Sequence, residues 1–365
     1  MNILLAGGGT AGHINPAIAI AEYAIEADSS NKVLFVGKGG GMESRLVPQA
    51  GFDIEYIDIE GLRRSLSFAN VTTAFKLVKA VSDCLNIIKK FKPDVVVGTG
   101  GYVCAPAVIA ANMRKIPTLI HEQNVFPGSA IKFLSKKSTI TAISFDESRK
   151  YLAKAKNVVV TGNPVKPDIM KSDYAKARAQ LGIGDEKYVV AFGGSLGAKK
   201  INDVVMQYIQ HINNSRDISL CFGTGVKNYD AVMSSLAHAG ITPGANINIC
   251  KYIDNMDVVL NAADVVIARS GAITLCELCV LGKPSVLIPS PNVTNNHQEY
   301  NARALSDNGA AAMILEKDFD IHTLVTNIDN ILYGNGVSAA MSRKALSMGR
   351  PDATELIYNQ LVTIA

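Results

Sequence analysis

No run in these 365 residues reaches the roughly 18 to 20 apolar residues that a helix needs to cross a bilayer. The first residues enter a candidate strand without the charged and apolar regions of a signal peptide, so a cytosolic chain is expected. Cysteine is sparse, and Cys84, Cys104, Cys221, Cys250, Cys276 and Cys279 all lie in apolar context. Cys276-Glu-Leu-Cys279 has no second pair to complete a zinc site, so buried, reduced thiols are expected. An excess of one charge is lacking too. With 36 basic against 32 acidic residues the net charge is +4, which argues against a general nucleic-acid binder. The chain is long for a single core, and two domains are expected.

What the chain has in quantity is glycine, 30 residues, placed after short apolar runs rather than in repeats. That placement marks strand-to-helix turns. Candidate strands are Asn2–Ala6, Lys32–Val36, Asp94–Val97, Thr118–Ile120, Val158–Thr161, Tyr188–Phe192, Ile218–Phe222, Asp264–Ala268 and Ser285–Ile288. Their alternation with helical patterns implies parallel sheets covered by helices on both faces. The plan is used twice. NILLAGGGTAG (2–12) resembles YVVAFGGSLGA (188–198), and DVVVGTGGYVCAP (94–106) resembles DVVIARSGAITLCEL (264–278). The expected fold class is α/β, two doubly wound Rossmann-like domains facing each other across a cleft. They join near Thr161–Asp168, where Gly162, Pro164 and Pro167 interrupt regular structure.

The first glycine turn lacks the marks of two familiar nucleotide loops. The second strand ends in Gly37-Lys38-Gly39-Gly40-Gly41, without the acid that binds a nicotinamide cofactor's ribose. His13 and Ile14 stand where a triphosphate loop needs Lys and Ser/Thr. What remains is a backbone cradle for an anion at a helix N-terminus, stabilised by roughly 0.3 to 2 kcal/mol through the helix dipole. His13, in the first helical turn, is a candidate to face that anion. Gly98–Tyr102, Gly193–Gly197 and Arg269–Ala272 follow other strands in the same way, which implies two phosphorylated ligands, one per domain. Glu277, about two turns into the helix opened by Ser270-Gly271, is placed to accept both hydroxyls of a ribose. His121-Glu122-Gln123-Asn124 sits at a strand's end and reads as ligand contact, as does Asn295–Asn301.

In order along the chain, GGGTAGHINPA, GTGGYVCAP, HEQN, GNPVK, GGSLGA, YIDNM, RSGAITLCE and HQEYNA resemble the MurG family of glycosyltransferases. The resemblance runs from the first strand to about Ala311. It implies a GT-B fold, with an acceptor domain over 1–163, a UDP-sugar domain over 164–339 and a C-terminal helix, about 340–365, returning to the first domain. The implied activity is inverting transfer of N-acetylglucosamine (GlcNAc) from UDP-GlcNAc to lipid I, undecaprenyl-pyrophosphoryl-MurNAc-pentapeptide, giving lipid II. Implied donor contacts are Thr10, Ala11, Gly12, Asn124, Lys166, Ser195, Ile253, Ala272, Ile273, Thr274, Leu275, Cys276, Glu277 and Gln298. Ser195 would meet a phosphate, the Ile253 backbone the uracil, Glu277 the ribose and Gln298 the sugar. The acceptor is expected at Gly8, Gly9, Gly100, Gly101, Tyr102 and His121. Two residues depart from the family pattern. Ala11 replaces a glycine and requires a negative φ there; Lys166 replaces an arginine, keeping charge but not a bidentate fork.

Transfer needs a base for the acceptor hydroxyl. His13 suits it, since an imidazole ordinarily titrates near ~6.5, and Glu122 is the second candidate. Helix N-termini and Ser195 can stabilise departing UDP, so neither a metal nor a cofactor is expected. Asp318-Phe-Asp320 reads as a helix start rather than a metal motif. Between Gly61 and Lys92, Arg63, Arg64, Lys76, Lys79, Lys89, Lys90 and Lys92 face a single acid, Asp83, with Leu62, Leu66, Phe68 and Phe75 interleaved. Part of this stretch reads as a core helix with a solvated face; the part near the loop reads as a contact for anionic lipid on the cytoplasmic side of the inner membrane. Nucleic acid is not expected as a partner. A diacylglycerol sugar transferase, a UDP-GlcNAc 2-epimerase and a non-catalytic nucleotide-sugar binding subunit are the competing readings.

Overall fold

The computed structural model describes residues 1–61, 69–194 and 196–365, apart from the side chains of 69–74. Ser195 and the loop cluster Leu62, Arg63, Arg64, Leu66 and Phe68 thus lie outside the described residues. The chain divides into two compact units, Met1–Val165 with Pro351–Ala365, and Lys166–Arg350.

In the first unit the strands are β1 (Asn2–Gly7), β2 (Lys32–Lys38), β3 (Ile54–Ile57), β4 (Val95–Gly100), β5 (Thr118–Glu122), β6 (Ile140–Ile143) and β7 (Val158–Val160). Its helices are α1 (Ala11–Ala27), α2 (Glu43–Gln49), α3 (Ala69–Phe91), α4 (Gly101–Met113) and α5 (Ser129–Leu134). The second unit contains β8 (Lys187–Phe192), β9 (Ile218–Gly223), β10 (Ile247–Cys250), β11 (Val265–Ala268), β12 (Ser285–Leu287) and β13 (Ala312–Met313). Around them run α6 (Tyr174–Leu181), α7 (Lys199–Ile212), α8 (Tyr229–His238), α9 (Met256–Ala262), α10 (Ala272–Val280), α11 (His297–Ser306), α12 (Ile321–Tyr333) and α13 (Val337–Met348). A last helix, α14 (Ala353–Ile364), belongs to the first unit.

Both sheets are parallel and wound alike. Their orders are β3-β2-β1-β4-β5-β6-β7 and β10-β9-β8-β11-β12-β13, each reversing direction beside its first strand. Period-two side-chain alternation explains the layers. Ile3 and Leu5 enter one core with Val95, Val97 and α1, while Leu4 and Ala6 enter the opposite core with Val96 and the apolar face of α4. β3, β6, β10 and β13 have no counterpart among the strands expected from sequence. They are two to four residues long, and three of them are sheet edges with weak alternation.

The expected return of 340–365 to the first domain divides into two parts. α14 does return, burying Ile357 and Leu361 completely in the core beneath α1. Each such side chain contributes about 1.5 to 3 kcal/mol. α13 instead stays with the second unit, where Leu346 lies against Gly282, and Gly349 against the Cys279 carbonyl. The six cysteines form no disulfide; Cys84, Cys104, Cys221 and Cys279 are buried, and Cys250 and Cys276 are half-buried.

Candidate active site

In open parallel sheets ligands bind beyond the strand C-termini where the winding reverses. In the first unit that point lies between β1 and β4, so the turns after these two strands frame the site. They interlock. A Cβ at Gly101 (φ +74) would lie 2.2 Å from the Gly8 carbonyl oxygen, and one at Gly100 (φ +111) would lie 2.7 Å from His13 Nδ1. Both positions require glycine, for backbone conformation and for space. The Tyr102 ring lies alongside Gly9 and Gly61. Thr10 takes the extended N-cap conformation of α1, and its carbonyl accepts the His13 and Ile14 N–H groups. Ala11 and Gly12 begin the helix, and Ala11 is not among the residues of positive φ, so the departure from glycine is accommodated.

The acid missing at the end of β2 appears further along, with another task. Glu43, fully buried at the start of α2, accepts the Gly9 N–H at 3.1 Å through Oε2 and the Lys38 N–H at 3.1 Å through Oε1. It clamps the glycine loop rather than a ribose. Sequence reasoning that ends at Gly41 misses it; the only signal is a carboxylate two residues past a glycine run. Glu43→Ala takes the carboxylate acceptor from two part-buried N–H groups and is expected to destabilise the chain by about 1.5 to 3 kcal/mol. An unchanged urea midpoint for this variant would refute the clamp.

The reading of His121–Asn124 as a ligand-facing set needs correction. β5 continues through Glu122, and His121, Glu122 and Gln123 are all buried. The Glu122 carboxylate accepts the Asn124 N–H (2.9 Å) and Asn124 Nδ2 (3.2 Å) on Oε1, and the Gly128 N–H (2.8 Å) on Oε2. Burial raises its pKa, against these hydrogen bonds. Its hydrogen bonds serve its own loop, which leaves His13 the better-placed candidate for the base. His121 Nε2 is taken by the Gly162 carbonyl at 2.9 Å, so its ring supports the site from behind rather than touching an acceptor. His13 remains, half-buried, with Nδ1 3.1 Å from Gln123 Oε1.

The second unit has its own reversal, between β8 and β11. Beyond β11, Arg269 donates to the Ile288 carbonyl at 3.1 Å and pairs with Glu316, holding the turn that leads to α10. Among the described residues no side chain caps α10 at Gly271. Ala272 and Leu275 are buried, whereas Ile273, Thr274, Cys276 and Glu277 are half-buried. Burial pushes the Glu277 carboxyl up to about 7, with the Lys166 ammonium opposing. Among the described residues this half-buried carboxylate accepts no hydrogen bond, which leaves it a candidate for ligand contact. Lys166 itself is exposed. Ile253 is buried against Gly223, and Gln298 Oε1 accepts the Ser290 N–H at 2.9 Å. Asn301, the last residue of the polar stretch read from sequence as ligand contact, is instead fully buried, and its Nδ2 donates to the Ser270 carbonyl at 3.1 Å.

Models of the glycosyltransferase family 28 N-terminal and C-terminal domains match residues 3–143 and 188–357. Across 365 residues, and 100% of both chains, the sequence is 44% identical to the UDP-N-acetylglucosamine--N-acetylmuramyl-(pentapeptide) pyrophosphoryl-undecaprenol N-acetylglucosamine transferase of Caldanaerobacter subterraneus subsp. tengcongensis. The chain belongs to the MurG family. The crystal structure of Acinetobacter baumannii MurG resembles it with a TM-score of 0.79 at 27% identity, covering 99% of each chain. A putative UDP-N-acetylglucosamine 2-epimerase from Listeria monocytogenes has a TM-score of 0.69 at 14% identity, over 98% of this chain and 94% of that one. That second likeness is one of fold alone. Membership in the MurG family makes the chain a glycosyltransferase with two Rossmann-like units of the GT-B class.

Proposed function

We propose that this MurG-family enzyme transfers GlcNAc from UDP-GlcNAc to lipid I, producing lipid II, with inversion at the anomeric carbon. The observation that carries the reading is full-length identity of 44% to a transferase named for that reaction. In the proposed step His13 takes the proton of the acceptor hydroxyl as its oxygen attacks the anomeric carbon, and the bond to the UDP oxygen breaks. The glycine turns after β1 and β4, with Tyr102, hold the acceptor. In the second unit Glu277 accepts the ribose hydroxyls, the Ile253 backbone meets the uracil and the Gln298 amide meets the sugar. The N-terminus of α10 meets the diphosphate, where aligned backbone N–H groups stabilise the charge that develops on UDP, and the family resemblance assigns Ser195 a phosphate contact as well.

Purified protein given radiolabelled UDP-GlcNAc and a lipid I analogue tests the proposal, and product is expected with chelator present. Sugar-nucleotide turnover without any acceptor would favour epimerisation instead, and UDP binding without turnover a binding subunit.

No helix among the described residues is long and apolar enough to cross a membrane. A peripheral contact with anionic lipid at the cytoplasmic face of the inner membrane is the proposed mode of attachment. Phe75 (73% exposed) and Val78 (70%) share a helical face with exposed Lys79, which supports it. Lys76 contributes less than its sequence position implied, because its ammonium is paired with Glu60 at 2.6 Å and Asp58 at 3.5 Å. Removing one nearby cation loses about 1 kcal/mol of attraction, and reversing its charge loses more. Lys79→Glu with Phe75→Ser should therefore reduce sedimentation with phosphatidylglycerol vesicles and leave turnover of a soluble acceptor unchanged. Undiminished sedimentation would locate the lipid contact elsewhere.

A further inference from the structure

Four elements of the first unit bring one chain of hydrogen bonds to His13. Gln123 Nε2 donates to the Thr99 carbonyl at 2.8 Å and lies 3.0 Å from His121 Nδ1. His121 Nε2 lies 2.9 Å from the Gly162 carbonyl, and Gln123 Oε1 lies 3.1 Å from His13 Nδ1. The His13 backbone is held as well, its carbonyl accepting Thr99 Oγ1 at 2.7 Å.

Both ends of this chain are carbonyl oxygens, which only accept, and that fixes every hydrogen between them. Facing the Gly162 carbonyl, His121 Nε2 must carry its ring hydrogen, so Nδ1 carries the lone pair. The Gln123 amide nitrogen then supplies one hydrogen to Thr99 and the other to His121 Nδ1, with the His121 carbonyl a longer third acceptor at 3.3 Å, and all three acceptors require nitrogen on this side of the amide. This sets the amide orientation, with Oε1 turned towards His13. An amide oxygen has no hydrogen to give, so the hydrogen of the contact belongs to His13 Nδ1. In the neutral ring the lone pair must then reside on Nε2. Thr99 and His121 are fully buried and Gln123 is 3% exposed, so water does not compete for these positions. Burial lowers the His121 pKa to about 4, which keeps that ring neutral at physiological pH.

We propose that Gln123, oriented by His121 and the Thr99 carbonyl, is a positioning residue that holds His13 as its Nδ1–H tautomer and so directs Nε2 at the acceptor hydroxyl. The inference rests on the reading of His13 as the base. When Nε2 takes the proton, the imidazolium keeps its Nδ1–H on Gln123 Oε1, and nothing in the chain has to rearrange. His121 thereby acts two bonds away from the reacting proton, which accounts for a buried histidine at a strand end.

Nitrogen-15 spectra of the full chain with labelled histidine, His13 being assigned by its loss in His13→Asn, read the tautomer directly. Above neutral pH, the His13 pair should show a protonated Nδ1 and a bare Nε2. A bare Nδ1, or averaging of the two signals, in the unsubstituted chain overturns the proposal. Gln123→Leu should release the tautomer and lower kcat roughly 10- to 100-fold with KM for UDP-GlcNAc unchanged. Gln123→Glu keeps an acceptor opposite Nδ1 and should retain the tautomer and recover kcat relative to Gln123→Leu. Equal loss in both variants, with the wild-type tautomer intact in each, would assign Gln123 a packing role only. Turnover retained in His13→Ala would remove the base assignment while the spectra still report the tautomer, so the two failures are distinct.

Discussion

His13→Ala is expected to lower turnover by roughly 10²- to 10⁴-fold, the range that a positioned general base contributes, while leaving UDP affinity unchanged. The two halves of this expectation rest on separate parts of the chain. The imidazole belongs to the first unit, where Gln123 holds the ring and the Thr99 hydroxyl donates to the His13 backbone carbonyl. The groups proposed for UDP, Glu277 and Ile253 among them, belong to the second unit and its own core. Single-turnover transfer to a lipid I analogue, with calorimetric titration of UDP on the same preparation, measures both. A variant that turns over normally loses the base from the proposal, and one that also loses UDP affinity shows the ring to be a donor contact.

Glu277→Gln should weaken UDP binding by about 10- to 100-fold, as a charge-assisted hydrogen bond contributes about 1.5 to 3 kcal/mol. The pH dependence is the sharper signature. In the absence of ligand, burial holds this carboxyl at about 7, so near neutrality a large fraction is protonated and cannot accept two hydroxyls. Ribose hydroxyls favour the ionised form, so binding lowers the pKa and releases a proton. Affinity should therefore rise with pH through the region of 7, level off above it, and fall up to about tenfold per pH unit below it. A side-chain amide does not titrate in this range, so the Glu277→Gln variant should show no such rise. Calorimetry in buffers of different ionisation enthalpy measures the released proton; a UDP affinity that is flat with pH in the unsubstituted enzyme would detach Glu277 from the ribose.

Much of the site was legible because it is made of glycine at strand ends. Gly100 and Gly101 stand where no side chain fits, and such positions announce themselves in sequence next to an apolar run. Polar residues at strand ends were less legible. His121 and Glu122 read as ligand contacts because apolarity stops at Ile120, yet the strand hydrogen bonding continues to Glu122 and both side chains turn inward to backbone partners. Glu43 was invisible for the converse reason. Its task, accepting the N–H groups of Gly9 and Lys38, depends on a fold that brings together residues 34 and five positions away. The C-terminal segment reads as helical throughout, but which core takes each half depends on what surface the other helices leave uncovered. α14 buries Ile357 and Leu361 against α1, and α13 packs on α10 beside Gly282.

By itself the sequence determined the two parallel α/β units, the places where their strands end in glycine, and membership in a family through eight ordered motifs. Those are properties of local periodicity and of residues whose backbone or space requirements are absolute. Tertiary structure alone decided which polar groups are spent on the protein's own backbone and which remain for a ligand. Hydrogen-bond partners such as the Gly162 carbonyl for His121, or Gln123 for His13, come from strands and helices distant in sequence. Only their convergence settles which imidazole nitrogen carries the proton.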